Sequence, residues 1–314
     1  MPVIVFIFSI LVVLLLALVL YTYRWNILNP NRSGKVKIDN LERTFIYHIP
    51  KNLKPNPKLI MVYHGSRLKA YMMQILTGHG FDIMADINKN AIIVYPQGYE
   101  EQWNDCRAKA PYNANKLNLD DVGFTDAVID YFKVNYKIND QTIYAIGYSN
   151  GGGMVSRLAN EKPGLFKALA IICSNIPVDE NNKCRLKQKP LSLIYFVGEQ
   201  DPIVKYGGGE SFVKGKSFGF SQSVEESLSY WLKANECNNT GKKLAEFRNS
   251  QGELTALQTN YRSVVTSKTI SFVKILDGGH TIPNFQFRIP IKILGNMNGE
   301  VNAPELIWDF FESN

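Results

Sequence analysis

Cysteine and histidine are scarce. Four of each are spread over 314 residues, and none falls in a CxxC, HExxH or paired-histidine spacing, which excludes the common zinc sites. Charge is thin as well, at 20% of residues with a formal net charge of +7. Four of the positive residues, Arg24, Arg32, Lys35 and Lys37, share one stretch without an acid. What is left is too small an excess for the basic face of a nucleic-acid binder, so no nucleic-acid partner is expected. There is no internal repeat and no low-complexity tract, which excludes solenoids and compositional disorder. With 45% hydrophobic and 12% aromatic residues, the chain can bury a sizeable core and is long enough for one large α/β domain or two ordinary ones.

The first strong signal is apolar. Val3 to Leu20 runs without a charge and is interrupted only by Ser9. Eighteen such residues suffice for a membrane-spanning helix, which satisfies its own backbone hydrogen bonds in lipid. Tyr21, Tyr23 and Trp25 follow, as expected at a membrane–water interface. A cleaved secretory signal is the competing reading, but no Lys or Arg precedes the run and no small-x-small cleavage site precedes Tyr21. Residues 1–23 are therefore expected to be a transmembrane anchor in contact with the lipid bilayer, residues 24–37 a turn-rich linker, and residues 38–314 one catalytic-type domain. The basic residues from Arg24 to Lys37 favour a cytoplasmic position for that domain under the positive-inside rule. The expectation adopted is the extracytoplasmic side, with the cytoplasmic side left open.

Beyond the linker, short apolar runs alternate with helical patterns, the mark of βαβ units around a mostly parallel, doubly wound sheet. Leu59–Tyr63, Ala91–Tyr95, Thr142–Ile146, Ala168–Cys173, Leu193–Val197 and Ser271–Leu276 read as strands. Phe124, Ala127, Val128, Tyr131 and Phe132 form an apolar stripe on a helix over about 122–136. Ser223 with Glu226 three residues on is a capping box that opens another helix. A last helix spans 303–311. Cys173 sits in a strand and reads as a core thiol, while the pairing of Cys106, Cys184 and Cys237 stays open.

The sharpest chemical signal is Gly147-Tyr148-Ser149-Asn150-Gly151, between a strand and a helical run. GxSxG in that setting is a nucleophile elbow, a strained turn that holds the serine hydroxyl out at the end of a sheet. A serine needs a base, and the base an acid. In hydrolases built around such an elbow the acid and then the base follow the serine along the chain. Only His280 among the histidines lies after Ser149, in a glycine-rich loop directly past a strand. Asp201 follows another strand and is the candidate acid, with Glu199 its nearest substitute. Backbone N–H groups of Asn150 and of Ser66, the latter in the loop after the first core strand, are the candidate oxyanion donors. His64 reads as structural, and Asp120 and Asp121 as helix caps. Trp103 either lines the substrate pocket or pins its own loop.

These residues carry a resemblance. The chain resembles polyhydroxybutyrate depolymerase-like esterases, the α/β-hydrolase group that also contains feruloyl and acetyl xylan esterases. The shared segments run in one order over almost the whole domain. They include Val62-Tyr63-His64-Gly65, Val94-Tyr95-Pro96-Gln97-Gly98, Trp103-Asn104, Asp120-Asp121-Val122-Gly123-Phe124, the elbow with Gly152, Asp201-Pro202, Tyr206-Gly207-Gly208, Gly278-Gly279-His280-Thr281 and Ile307-Trp308-Asp309-Phe310-Phe311. The resemblance implies an α/β-hydrolase fold and a Ser149–Asp201–His280 triad. It also implies carboxylic ester substrates of the short hydroxyalkanoate, feruloyl or acetyl type, with no metal and no organic cofactor. A peptidase or acyltransferase on the same fold is the near alternative, and a catalytically silent, membrane-tethered binding module the distant one.

Three departures from the family pattern bear on substrate. Ile282 stands where the family usually has an aromatic residue. Tyr261-Arg262-Ser263 stands where a cysteine often pairs with the one matching Cys237. The surface-binding module of polymer depolymerases is not expected here, which favours soluble esters of modest size.

Overall fold

The computed structural model describes residues 31–184, 189–213, 215–238, 240–285 and 292–314. The six apolar runs become the parallel centre of one sheet. They are β3 (Lys58–Tyr63), β4 (Ala91–Pro96), β5 (Ile143–Tyr148), β6 (Ala168–Ile172), β7 (Ser192–Gly198) and β12 (Thr269–Ile275). All of β4, β5, β6 and β7 is buried, as expected for strands covered by helices on both faces.

Antiparallel strands extend both edges. β1 (Arg32–Ile38) and β2 (Leu41–His48) lie outside β4, while β10 (Lys242–Arg248) and β11 (Leu254–Arg262) lie outside β12. Among the described residues the sheet order is β1-β2-β4-β3-β5-β6-β7-β12-β11-β10. A separate ribbon, β8 (Gly209–Val213) and β9 (Lys216–Ser221), follows β7.

The helices are α1 (Ala70–Leu76), α2 (Gly80–Asn88), the single turn α3 (Asn113–Lys116), α4 (Asp121–Tyr136), α5 (Asn150–Glu161), α6 (Val224–Ala234) and α7 (Ala303–Ser313). One apolar cluster gathers Phe124, Val128 and Phe132 of α4 with Trp231 of α6 on one face of the sheet. A second gathers Met73 of α1, Phe81 of α2 and Trp308 and Phe311 of α7 on the other. Each such aromatic or aliphatic side chain contributes about 1.5–3 kcal/mol on burial. The capping box of α6 is formed as expected, with Ser223 Oγ accepting from the Glu226 N–H and Glu226 accepting from the Ser223 N–H at 2.8 Å.

The linker expected over 24–37 is corrected from Arg32 onward, where the chain is already strand β1 paired with β2. Its inward positions Gly34, Val36 and Ile38 are half-buried while Lys35 and Lys37 stay exposed. Gly34 leaves room for the Phe45 ring above it. The anchor expected over 1–23, and residues 24–30, lie outside the described residues. No helix among the described residues is long and apolar enough to cross a membrane.

Candidate active site

Every parallel strand points its carboxyl end to the same edge, and that edge collects the chemical groups, as open α/β sheets do. Ser149 follows β5 and precedes α5. Its backbone is held at φ 54°, ψ −118°, a sparsely populated region for a residue with a side chain. The Ser149 N–H donates to the Ile172 carbonyl on β6 at 2.9 Å, which fixes the turn. The flanking glycines are required by space. A Cβ on Gly147 would run into the Gly151 carbonyl, and one on Gly151 into the Tyr63 carbonyl.

His280 stands five residues past β12. The His280 N–H donates to the Leu294 carbonyl at 2.6 Å, and the Tyr148 hydroxyl donates to the His280 carbonyl at 2.7 Å. The residue before Ser149 thus grips the backbone of His280. His280 Nε2 lies 2.8 Å from Ser149 Oγ, and Nδ1 lies 2.7 Å from Asp201 Oδ2. A carboxylate can only accept, so Nδ1 carries the proton and Nε2 is free to take the one on the serine hydroxyl. Asp201, three residues past β7, accepts from the Ile203 and Val204 N–H groups at 2.8 Å each through Oδ1. Pro202 bends the chain so that both can reach it. Asp201 and His280 are 6% and 3% exposed, so water does not compete for their bond. Glu199 instead pairs with Lys274 at 2.7 Å.

The loop after β3 approaches the serine from the opposite side, with Gly65 against the Ser149 side chain. His64 shapes this loop. It donates from Nδ1 to the Gly65 carbonyl at 2.8 Å and accepts at Nε2 from the Gly98 N–H at 2.9 Å. Burial lowers its imidazole to about 4, so it is neutral at ordinary pH. Ser66 Oγ donates to Gln102 Oε1 at 2.8 Å, and Ser66 faces the same cavity as Ser149.

Asn150 opens α5, and its side chain is tied into a network that sequence reasoning missed. Its Oδ1 accepts from the Trp103 N–H at 2.8 Å, and its Nδ2 donates to Asp105 Oδ2 at 2.7 Å. Tyr112 donates to the same Asp105 oxygen at 3.1 Å, and Arg107 grips that carboxylate at 2.5 Å. A disulfide joins Cys106, between the two charged residues, to Cys184. The only sequence signal was the crowding of polar and aromatic residues after Trp103.

Trp103 is corrected as a pocket residue. It is fully buried, donates from Nε1 to the His64 carbonyl at 2.8 Å and packs edge-on against Tyr63. It pins loops beneath the site and does not line the cavity. Asp120 caps α4 as expected, accepting from the Gly123 N–H at 2.7 Å, but Asp121 is buried against Arg43 at 2.7 Å.

A cavity of about 480 Å³ opens beside Ser149, Ser66 and His280. Its walls are mainly apolar, with Met72 and Ile75 of α1 facing Ile282, Leu294 and Met297. A small recess of about 30 Å³ also borders Ser149, lined by Ser156, Asn160, Ser174 and Asn175 among others. Among the described residues, one group of side chains has metal-ligand spacing, Cys173, Asp201 and His280. Two of these are hydrogen-bonded to each other, and burial pushes the Cys173 thiol well up, away from the thiolate a metal needs.

Sheet order, elbow and loop placement define the α/β-hydrolase fold. No protein-family profile matches the chain. It is 22% identical over 283 residues to a protein named "Probable feruloyl esterase C" from Aspergillus oryzae, covering 89% of this chain and 86% of that one. It is 27% identical over 205 residues to feruloyl esterase B of Piromyces equi, covering 62% of this chain and 35% of that one. Among solved structures it resembles an acetyl xylan esterase from Aspergillus awamori, with a TM-score of 0.54 at 14% identity over 81% of this chain and 95% of that one. Relatives and fold together make the chain a carboxylic ester hydrolase.

Proposed function

We propose that Ser149 is the nucleophile of this esterase, His280 its general base and acid, and Asp201 the group that orients the imidazole. What carries the proposal is the unbroken hydrogen-bond line from Ser149 Oγ through both ring nitrogens of His280 to Asp201. Ser149 Oγ attacks the ester carbonyl carbon while its proton passes to His280 Nε2. The Ser66 and Asn150 N–H groups hold the resulting oxyanion. The carbonyl re-forms as the C–O bond to the alcohol breaks, and the alcohol leaves with the proton from Nε2. Water then gives a proton to the same nitrogen and attacks the acyl-serine, which releases the acid and restores the serine. No metal or organic cofactor takes part in this scheme.

The substrates are carboxylic esters of the short hydroxyalkanoate, feruloyl or acetyl type, as in polyhydroxybutyrate depolymerase-like enzymes. Residues 1–23 tether the domain to a membrane, with the domain on the extracytoplasmic side. The test is a panel of aryl and alkyl esters beside matching amides, run on the full chain and on Ser149→Ala. Esters are expected to turn over well ahead of amides. The variant should lose at least about ten-thousandfold in kcat. Equal turnover of amides, or a variant that keeps its activity, would overturn the proposal.

A further inference from the structure

We infer that the cavity mouth faces a lipid bilayer and that, besides the short esters above, the enzyme takes esters with a long apolar acyl chain from the bilayer surface. The inference rests on the esterase and tether proposals above and adds a substrate class to that site. Three observations converge on it. The cavity beside Ser149 is large and mainly apolar, whereas a small soluble ester would leave most of those walls wet. Its exposed rim carries Tyr71 of α1 and Ile293, in the turn Lys292–Leu294, at 49% and 70% exposed, together with the exposed cation Arg67. An aromatic ring with a polar tip beside an exposed aliphatic chain is suited to the boundary between headgroups and acyl chains.

The third observation concerns where the tether joins. Asn31 is fastened to Gln74 of α1 by two side-chain hydrogen bonds, at 2.8 and 2.9 Å. Gln74 is buried and held in turn by Asp82 at 2.9 Å. Tyr71 and Gln74 are three residues apart on one helix, about 5 Å along its axis. The described chain therefore begins fastened to α1, the helix whose Tyr71, Met72 and Ile75 line the cavity. The ten residues between Leu20 and Asn31 can span at most about 40 Å. A tether of that length, fixed at α1, keeps the rim within reach of the surface.

The test uses the full chain reconstituted in phosphatidylcholine vesicles that carry monooleoylglycerol, with p-nitrophenyl acetate as the soluble comparison. The wild type is expected to hydrolyse both. Tyr71→Asp with Ile293→Asp is expected to lower kcat/KM for monooleoylglycerol at least tenfold more than for the acetate. Ile293→Asp alone, at a largely exposed position, should show the same bias to a smaller degree and does not depend on a core change being tolerated. Equal losses on the two esters, or a wild type that cuts the acetate and leaves monooleoylglycerol intact, would overturn the inference alone. A wild type that cuts neither would overturn the esterase proposal and the inference together.

Discussion

Ser149, His280 and Asp201, the proposed triad, each sit at a strand end in a short motif, and the order of acid and base along the chain left a single candidate histidine. The supporting shell was not legible in that way. Trp103 looked as suited to a pocket as to a scaffold, and only its contacts with the His64 carbonyl and Tyr63 decide between them. His64 shows how a buried scaffold residue leaves a mark in solution. Its imidazole is held at about 4 by burial, against 6.5 in an ordinary setting. Between those values the unfolded chain binds more protons, so stability is full above about pH 6.5 and declines as the pH falls toward 4. The loss from this one group is on the order of 3 kcal/mol. Urea unfolding of wild type and His64→Gln at pH 7 and pH 4.5 checks it. The wild type should lose the greater stability on acidification, and parallel losses would contradict the assignment.

At the scale of elements, the parallel centre of the sheet was readable because strands buried on both faces are continuous apolar runs. The edges were not readable in the same way. β1 and β10 keep a wet face, so Lys35, Lys37, Lys242 and Lys243 interrupt any apolar run, and such strands resemble loops until their pairing is seen. α1 was hidden for the opposite reason. Ala70 and Met73 pack toward the sheet while Tyr71, Met72 and Ile75 line the cavity, so no polar stripe marks it as a helix. The segment after Trp103 depends on a cross-link instead of a regular element. The Cys106–Cys184 disulfide spans 78 positions and fixes the segment that carries Asp105 and Arg107. Loop-closure entropy assigns a bridge of that span about 4 kcal/mol. Cys106→Ser with Cys184→Ser should therefore lower the guanidinium midpoint markedly, with a steeper slope because the unfolded chain is no longer cross-linked. A midpoint within error of wild type would show that the bridge does not stabilise the fold.

Across the whole molecule, one sheet edge collects the proposed site. The loops after β3, β5, β7 and β12 converge there from positions up to about two hundred residues apart, and none of the four could be placed against another from local sequence alone. The cavity was equally hidden, since its walls come from α1, the ribbon strand β9 and the turn near Ile293, segments with no shared motif. What the motifs did convey was the strand-end position of each reactive group, which in this fold is nearly enough to bring them together. The most direct measurement is labelling of the native full chain with a fluorophosphonate, followed by peptide mapping and an ester assay on the same sample. A single adduct on Ser149, with ester hydrolysis lost in proportion to labelling, is the predicted result. Full labelling at another serine, or hydrolysis that survives complete modification of Ser149, would contradict it.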